Sequence, residues 1–142
     1  MRLVSLKVGI EDSGHTPFEL IGGPKDLERL HEPANATERL VRDDGGVLHF
    51  TLAGDETRAG INILAYDFEL YFPKPGSLQF VRYDLNLPGH TNDLRAMRCH
   101  LHPGSDDHQV AAPRLSPLEL LDLLVFRVRP LREERSKNLL LP

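Results

Sequence analysis

The chain has 142 residues, of which 40% are hydrophobic and 27% charged, and its formal charge is −4. That is long enough for one domain with a real core, too apolar for wholesale disorder, and too acidic for a global field that would hold nucleic acid non-specifically. A single cysteine, Cys99, excludes both an intrachain disulfide and a multi-cysteine zinc site.

Cysteine usage of this kind fits a reducing cytoplasm. The opening MRLVSLKVGIEDSG lacks the apolar core of a signal peptide, and no apolar run approaches the roughly 20 residues that span a bilayer. The expectation is a cytoplasmic protein with no membrane partner.

In chain order, residues 3–10 and 18–21 are β-rich, and Gly22-Gly23-Pro24 breaks the chain. Pro24 suits the first turn of a short helix carrying Leu27 and Leu30, which Pro33 ends. Segments 37–42 and 47–52 flank Asp43-Asp44-Gly45-Gly46, a strong hairpin signal because Asp and Gly tolerate positive φ. Leu48, Phe50 and Leu52 alternate with Val47, His49 and Thr51, so one face of that strand is core.

Two further strands are expected at 61–72 and 78–87, joined by Pro73-Lys74-Pro75-Gly76. Alternation puts Leu64, Tyr66, Phe68, Leu70 and Phe72 on one face of the first, with Ala65, Asp67, Glu69 and Tyr71 opposite. In the second, Val81, Tyr83, Leu85 and Leu87 face one way and Phe80, Arg82, Asp84 and Asn86 the other. Segment 96–102 separates Met97, Cys99 and Leu101 from Arg98, His100 and His102. Ser116-Pro117-Leu118-Glu119 reads as a capping box opening a helix over 117–129, which Pro130 closes.

These elements predict an α+β fold: a single antiparallel β-sheet of about five to seven strands, with a C-terminal helix and a short N-terminal helix. Residues 1–142 form one domain, and residues 130–142, with Arg132, Arg135 and Lys137 diluted by Glu133 and Glu134, read as a flexible solvated tail. The helix over 117–129 is apolar nearly all round, which suits burial and also suits docking a second copy as a homodimer.

If the three strands over 61–102 are neighbours, their polar residues form one wall: Asp67, Glu69, Tyr71, Arg82, Asp84, Asn86, Arg98, His100 and His102. A wall of this kind serves as the solvated side of an antiparallel sheet. It also carries the groups that metal-free RNA cleavage needs. Histidine titrates near neutrality and arginine pairs with phosphate oxygens, so His100, His102, Arg82 and Arg98 are the catalytic candidates, with Asp84 orienting a histidine or holding Arg82. No cofactor is required for that chemistry.

The alternative is a divalent transition metal such as zinc. His100-x-His102 aims two imidazoles the same way from one strand, loosely as in the HxH element of cupins, and His90, Asp106 or His108 would complete the shell. Blander readings serve elsewhere: Cys99 faces the core, His15, His31 and His49 are structural, and Gly22-Gly23-Pro24-Lys25 lacks the spacing of a phosphate-binding loop.

The succession Tyr66-x-x-x-Leu70-Tyr71, a turn with Gly76, Phe80-Val81-Arg82-Tyr83-Asp84, then His90 and His100-x-His102 before a closing helix resembles the TumE-type toxins of bacterial toxin–antitoxin systems. It covers roughly residues 61–128. The resemblance implies a ribonuclease or RNA-binding protein with RNA as substrate and an antitoxin protein as partner. It makes Arg82, Tyr83, Asp84, His100 and His102 the family-like residues, with Tyr83, Asn86 and His90 contacting the substrate. In this chain Leu85 separates the aspartate from Asn86, whereas the family places asparagine directly after it.

Overall fold

The structure is a computed structural model and describes residues 4–7, 16–23, 40–73 and 78–129. Among the described residues, eight strands form one antiparallel sheet: β1 (Val4–Lys7), β2 (Thr16–Gly22), β3 (Leu40–Val41), β4 (Val47–Thr57), β5 (Gly60–Tyr71), β6 (Phe80–Leu85), β7 (Cys99–Pro103) and β8 (Val110–Ala111). Seven of them run in the order β1-β2-β4-β5-β6-β7-β8, and the two-residue β3 continues the β2 edge by pairing with β4. From β4 to β8 each strand pairs with the next, a meander in which register is set locally by each turn. The expected α+β class and single antiparallel sheet are present. The short N-terminal helix after Pro24 and the tail over 130–142 lie outside the described residues.

One face of the sheet is apolar, as alternation predicts. Phe50, Leu52, Tyr66, Phe68, Leu70, Tyr83 and Leu85 are buried on it together with Leu120 and Leu124 of the C-terminal helix. Phe68 is fully buried at the centre, stacked on Phe50 at 5.3 Å and edge-on to Tyr66 at 5.7 Å. Rings of this size dominate a core of this kind.

The alternation breaks where β4 and β5 slip register between Ala53 and Gly54. Beyond that bulge Ile63, rather than the expected Leu64, packs against the core, because one extra residue reverses which side faces inward. The expected strand over 78–87 also ends early. β6 stops at Leu85, and Leu87 is exposed.

The C-terminal helix opens as expected. Ser116 accepts from the Glu119 backbone N–H, Glu119 accepts from the Ser116 N–H, and Pro117 takes the first turn. After α1 (Pro117–Asp122) the chain widens into a π-helical segment, Leu123–Arg127. Its end is held from the sheet. The buried Arg42 donates through Nη1 to the carbonyls of Leu124 (2.5 Å) and Val128 (2.6 Å), while its other nitrogens bind the Asp44 carboxylate. Arg42 thereby satisfies carbonyls that a helix end leaves without partners. It sits just before the β3–β4 turn, where Gly45 adopts a φ of 85° that a side chain would oppose.

Replacing Arg42 with Met should therefore destabilise the fold by about 2–4 kcal/mol in urea unfolding, since the Leu124 and Val128 carbonyls lose the guanidinium and Asp44 loses its closest cation. Arg127→Met, which breaks an exposed pair with Asp122, should cost less than about 1 kcal/mol.

The Arg42 hydrogen bond holds the Asp44 carboxyl well below its ordinary value, at about 2. A depressed carboxyl stabilises the fold above its unfolded pKa and ceases to do so as pH falls through the folded one. The stability gap between the wild type and Asp44→Asn should be full above about pH 4 and close as pH approaches 2.

Candidate metal centre

Strand register turns the polar face of the sheet into two cross-strand rows. Thr51, Asp67, Asp84 and His100 are successive partners across β4 to β7, and His49, Glu69, Arg82 and His102 form the row beside them. Asp84 is directly opposite His100 and diagonal to His102, both within reach of a short side chain.

The expected solvated wall is not what the two histidines experience. His100 is 2% exposed and His102 3%. Their rings meet edge-on, with centroids 4.9 Å apart and the two Nε2 atoms separated by 3.1 Å. Oδ2 of Asp84 lies 3.4 Å from Nε2 of His100 and 3.3 Å from Nε2 of His102.

The other ring nitrogens fix the tautomers. Nδ1 of His100 is 2.8 Å from the carbonyl of Met97, and Nδ1 of His102 is 3.4 Å from that of Ser105. A carbonyl only accepts, so each Nδ1 carries a hydrogen, and a ring with no second hydrogen presents a bare lone pair at Nε2. Two imidazole lone pairs and a carboxylate oxygen thus converge on one point. Only a cation between them, a shared proton or a metal ion, turns that convergence from repulsion into attraction.

The triangle of 3.1, 3.3 and 3.4 Å has the size of a metal-ligand face. Ligands held at zinc distances in a tetrahedron are about 3.3 Å apart, and those on an octahedral face about 3.0 Å. Backbone carbonyls receiving the Nδ1 hydrogens are the usual outer partners of metal-bound histidines. Among the described residues, Asp84, His100 and His102 are the group of three or more potential ligands that come together in this way.

Charge around the triangle favours an added cation. Burial, followed by the nearby Asp84 charge, raises the Asp67 carboxyl above its ordinary value, and burial likewise raises that of Glu69. The Asp84 oxygen Oδ1 is buried without a hydrogen-bond partner. The neighbouring guanidinium, Arg82, is shared among three carboxylates: Asp84 at 3.1 Å, Glu69 at 3.7 Å and Asp106 at 2.7 Å. Burial alone would lower its pKa, but Asp84 and Asp106 outweigh that and raise it, so Arg82 stays charged.

The remaining candidates fall elsewhere. Tyr83 is on the opposite face, buried toward the helix, where its hydroxyl donates to the Pro113 carbonyl and burial beside Cys99 pushes its pKa up to about 12. Tyr83 thus lies on the face opposite the histidines, where alternation along β6 puts it. Arg98 spends its donors on the carbonyls of Asn86 and Leu64, both at 3.0 Å, as a strut at the strand end rather than a member of the cluster. Asn86 and His90 contact each other at 3.3 Å, and His90 caps the 3₁₀ helix Thr91–Arg95 through Asn92.

Of the expected metal ligands, Asp106 is 70% exposed, on the Nδ1 side of His102 at 4.0 Å, and His108 is exposed on the turn. Asp84 is the carboxylate that meets the two Nε2 atoms. Its reach to both histidines was legible only through register, because Asp84 is sixteen positions from His100 in sequence and pairs with it by the β6–β7 turn. Cys99 is half-buried, with its thiol on the Pro113 carbonyl at 3.3 Å.

No protein-family model, curated protein or solved structure matches the chain. Among the described residues, no helix is long and apolar enough to cross a membrane.

The tautomers are open to direct measurement. Two-bond ¹H–¹⁵N correlation spectra should show Nδ1 protonated in both rings, whatever occupies the space between the Nε2 atoms. A bare Nδ1 on either ring would refute the arrangement.

Proposed function

We propose that the protein binds one divalent transition-metal ion through Nε2 of His100, Nε2 of His102 and the carboxylate of Asp84, with Arg82 beside the ion as a fixed positive charge. The observation that carries this reading is the convergence of three acceptors on one point while both Nδ1 atoms donate to carbonyls. Two imidazoles and one carboxylate suit zinc, iron or nickel better than magnesium or calcium, which prefer oxygen ligands. Three protein ligands leave at least one coordination position open, and a bound ion there would polarise an oxygen of a substrate or lower the pKa of a water. Arg82 would hold negative charge beside it, and Asp84 would serve both as ligand and as the acceptor that orients Arg82.

The likeness to cupins stops at the histidine pair. The meander order of β4 to β8 differs from the Greek keys of a jelly roll.

A second reading, RNA cleavage by a TumE-like toxin with an antitoxin partner, draws support from one observation. The family-like residues Arg82, Asp84, His100 and His102 meet across β6 and β7. In its metal-free form, this reading needs imidazoles that a ribose hydroxyl can reach. Burial of both rings weighs against that form.

The untagged protein should take up about one equivalent of zinc or cobalt. Asp84→Ala, His100→Ala and His102→Ala should each weaken binding by more than the 10–100-fold typical of losing an outer partner. His108→Ala should leave affinity within about twofold of the wild type. Calorimetric titration would check both, and uptake unaffected by the three ligand changes would end the proposal. A ribonuclease assay with and without chelator separates the two forms of the second reading.

A further inference from the structure

We infer that Arg82, beside the ion position, forms a subsite for a small carboxylate anion, and that Asp106 occupies the Nη2 side of this subsite from the turn after β7. The inference rests on the metal reading above and adds the ligand class.

Arg82 contacts three carboxylates that differ in how they are held. Asp84 and Glu69 project from β6 and β5, and each side chain is 13% exposed. Asp106 is 70% exposed, on a turn that begins at Gly104, whose φ of 84° lets the chain reverse. Its carboxylate nevertheless makes the shortest contact, 2.7 Å to Nη2. Exposed pairs of this kind are held weakly and exchange readily for other partners.

The guanidinium is also prepared to receive a carboxylate. Glu69, Asp84 and the Phe80 ring, 5.8 Å from the guanidinium carbon, fix its position. A fork held in this way binds a carboxylate at little further entropic cost. Arg82 donates from Nε to Oδ2 of Asp84, the oxygen proposed to ligate the ion. A group held on Nη2 of Arg82 is therefore separated only by the guanidinium from the oxygen proposed to ligate the ion, whose three protein ligands leave a position open.

Charge supports an exchange rather than an addition. Asp67, Glu69, Asp84 and Asp106 already outnumber Arg82, so an anion added beside Asp106 would meet repulsion, whereas one that takes over its contact lets the exposed Asp106 carboxylate swing out into solvent, where its charge is screened. Asp106, tethered nearby at high effective concentration, sets the threshold that an incoming carboxylate must exceed.

The experiment uses cobalt-loaded protein, whose visible spectrum reports the ion's coordination, titrated with acetate and with chloride at matched ionic strength. Asp106→Ala should respond to acetate at a concentration at least tenfold below that needed by the wild type, with no response to chloride. Arg82→Gln should still take up cobalt but lose the acetate response. Arg82→Lys, which keeps the charge without the fork, should respond several-fold more weakly and covers a glutamine variant that fails to fold. A cobalt spectrum unmoved by acetate in Asp106→Ala, or moved equally with and without Arg82, would overturn the subsite while leaving the metal centre standing. Failure of the wild type to bind cobalt would overturn both.

Discussion

The register between β6 and β7 is the constraint on which the rest of the site depends. It sets Asp84 opposite His100 and Arg82 opposite His102, so that four polar side chains share one face while Tyr83 and Leu101 pair on the other. Because side chains alternate with a period of two, a slip of one residue would send both histidines into the core beneath the helix and bring Leu101 out. The apolar face is what prevents the slip. Tyr83 and Leu85 are buried against Phe68, Leu120 and Leu124, and the Tyr66 and Tyr83 hydroxyls are tied to the carbonyls of Leu115 and Pro113. Packing on one side of the sheet thus fixes chemistry on the other.

The site concentrates unfavourable terms that a cation would relieve. Two imidazoles are withdrawn from water with one lone pair each facing the other, and burial disfavours the charged forms of Asp67 and Glu69. Such groups cost free energy unless each has a partner. Arg82 supplies one positive charge to the edge of the cluster, but its contacts are with carboxylates and it cannot accept from or donate to the space between the two rings in the way an ion would.

Much of this was legible in the sequence, and the parts that were not share a physical cause. Period-two alternation identified the strands, the core residues Tyr66, Phe68, Leu70, Tyr83 and Leu85, and the separation of Asp84, His100 and His102 from them. The capping box located the helix start. Alternation failed where the chain departs from a uniform pleat: the bulge at Ala53/Gly54 exchanged Ile63 for Leu64, and the early end of β6 exposed Leu87. It also says which face a residue is on, not how deeply it is covered, so the near-complete burial of His100 and His102 was invisible. Arg42 escaped notice for a related reason. Its partners at 124 and 128 are over eighty positions away, and no local pattern reports that an arginine will cap a distant helix.

Arg42 and Arg82 show how one side chain type does opposite work in one small fold. Arg42 is buried, with two of its acceptors being backbone carbonyls that do not leave, and its contribution is to stability. Arg82 is more exposed, all its ionic partners are side chains, and the one with the shortest contact stands on an exposed turn. A guanidinium whose partners are permanent is a fastener, whereas one that holds an exposed carboxylate beside the proposed ion position is placed to bind. That difference, rather than the histidines alone, is what distinguishes a site open to a ligand from an ion held only for the sake of the fold.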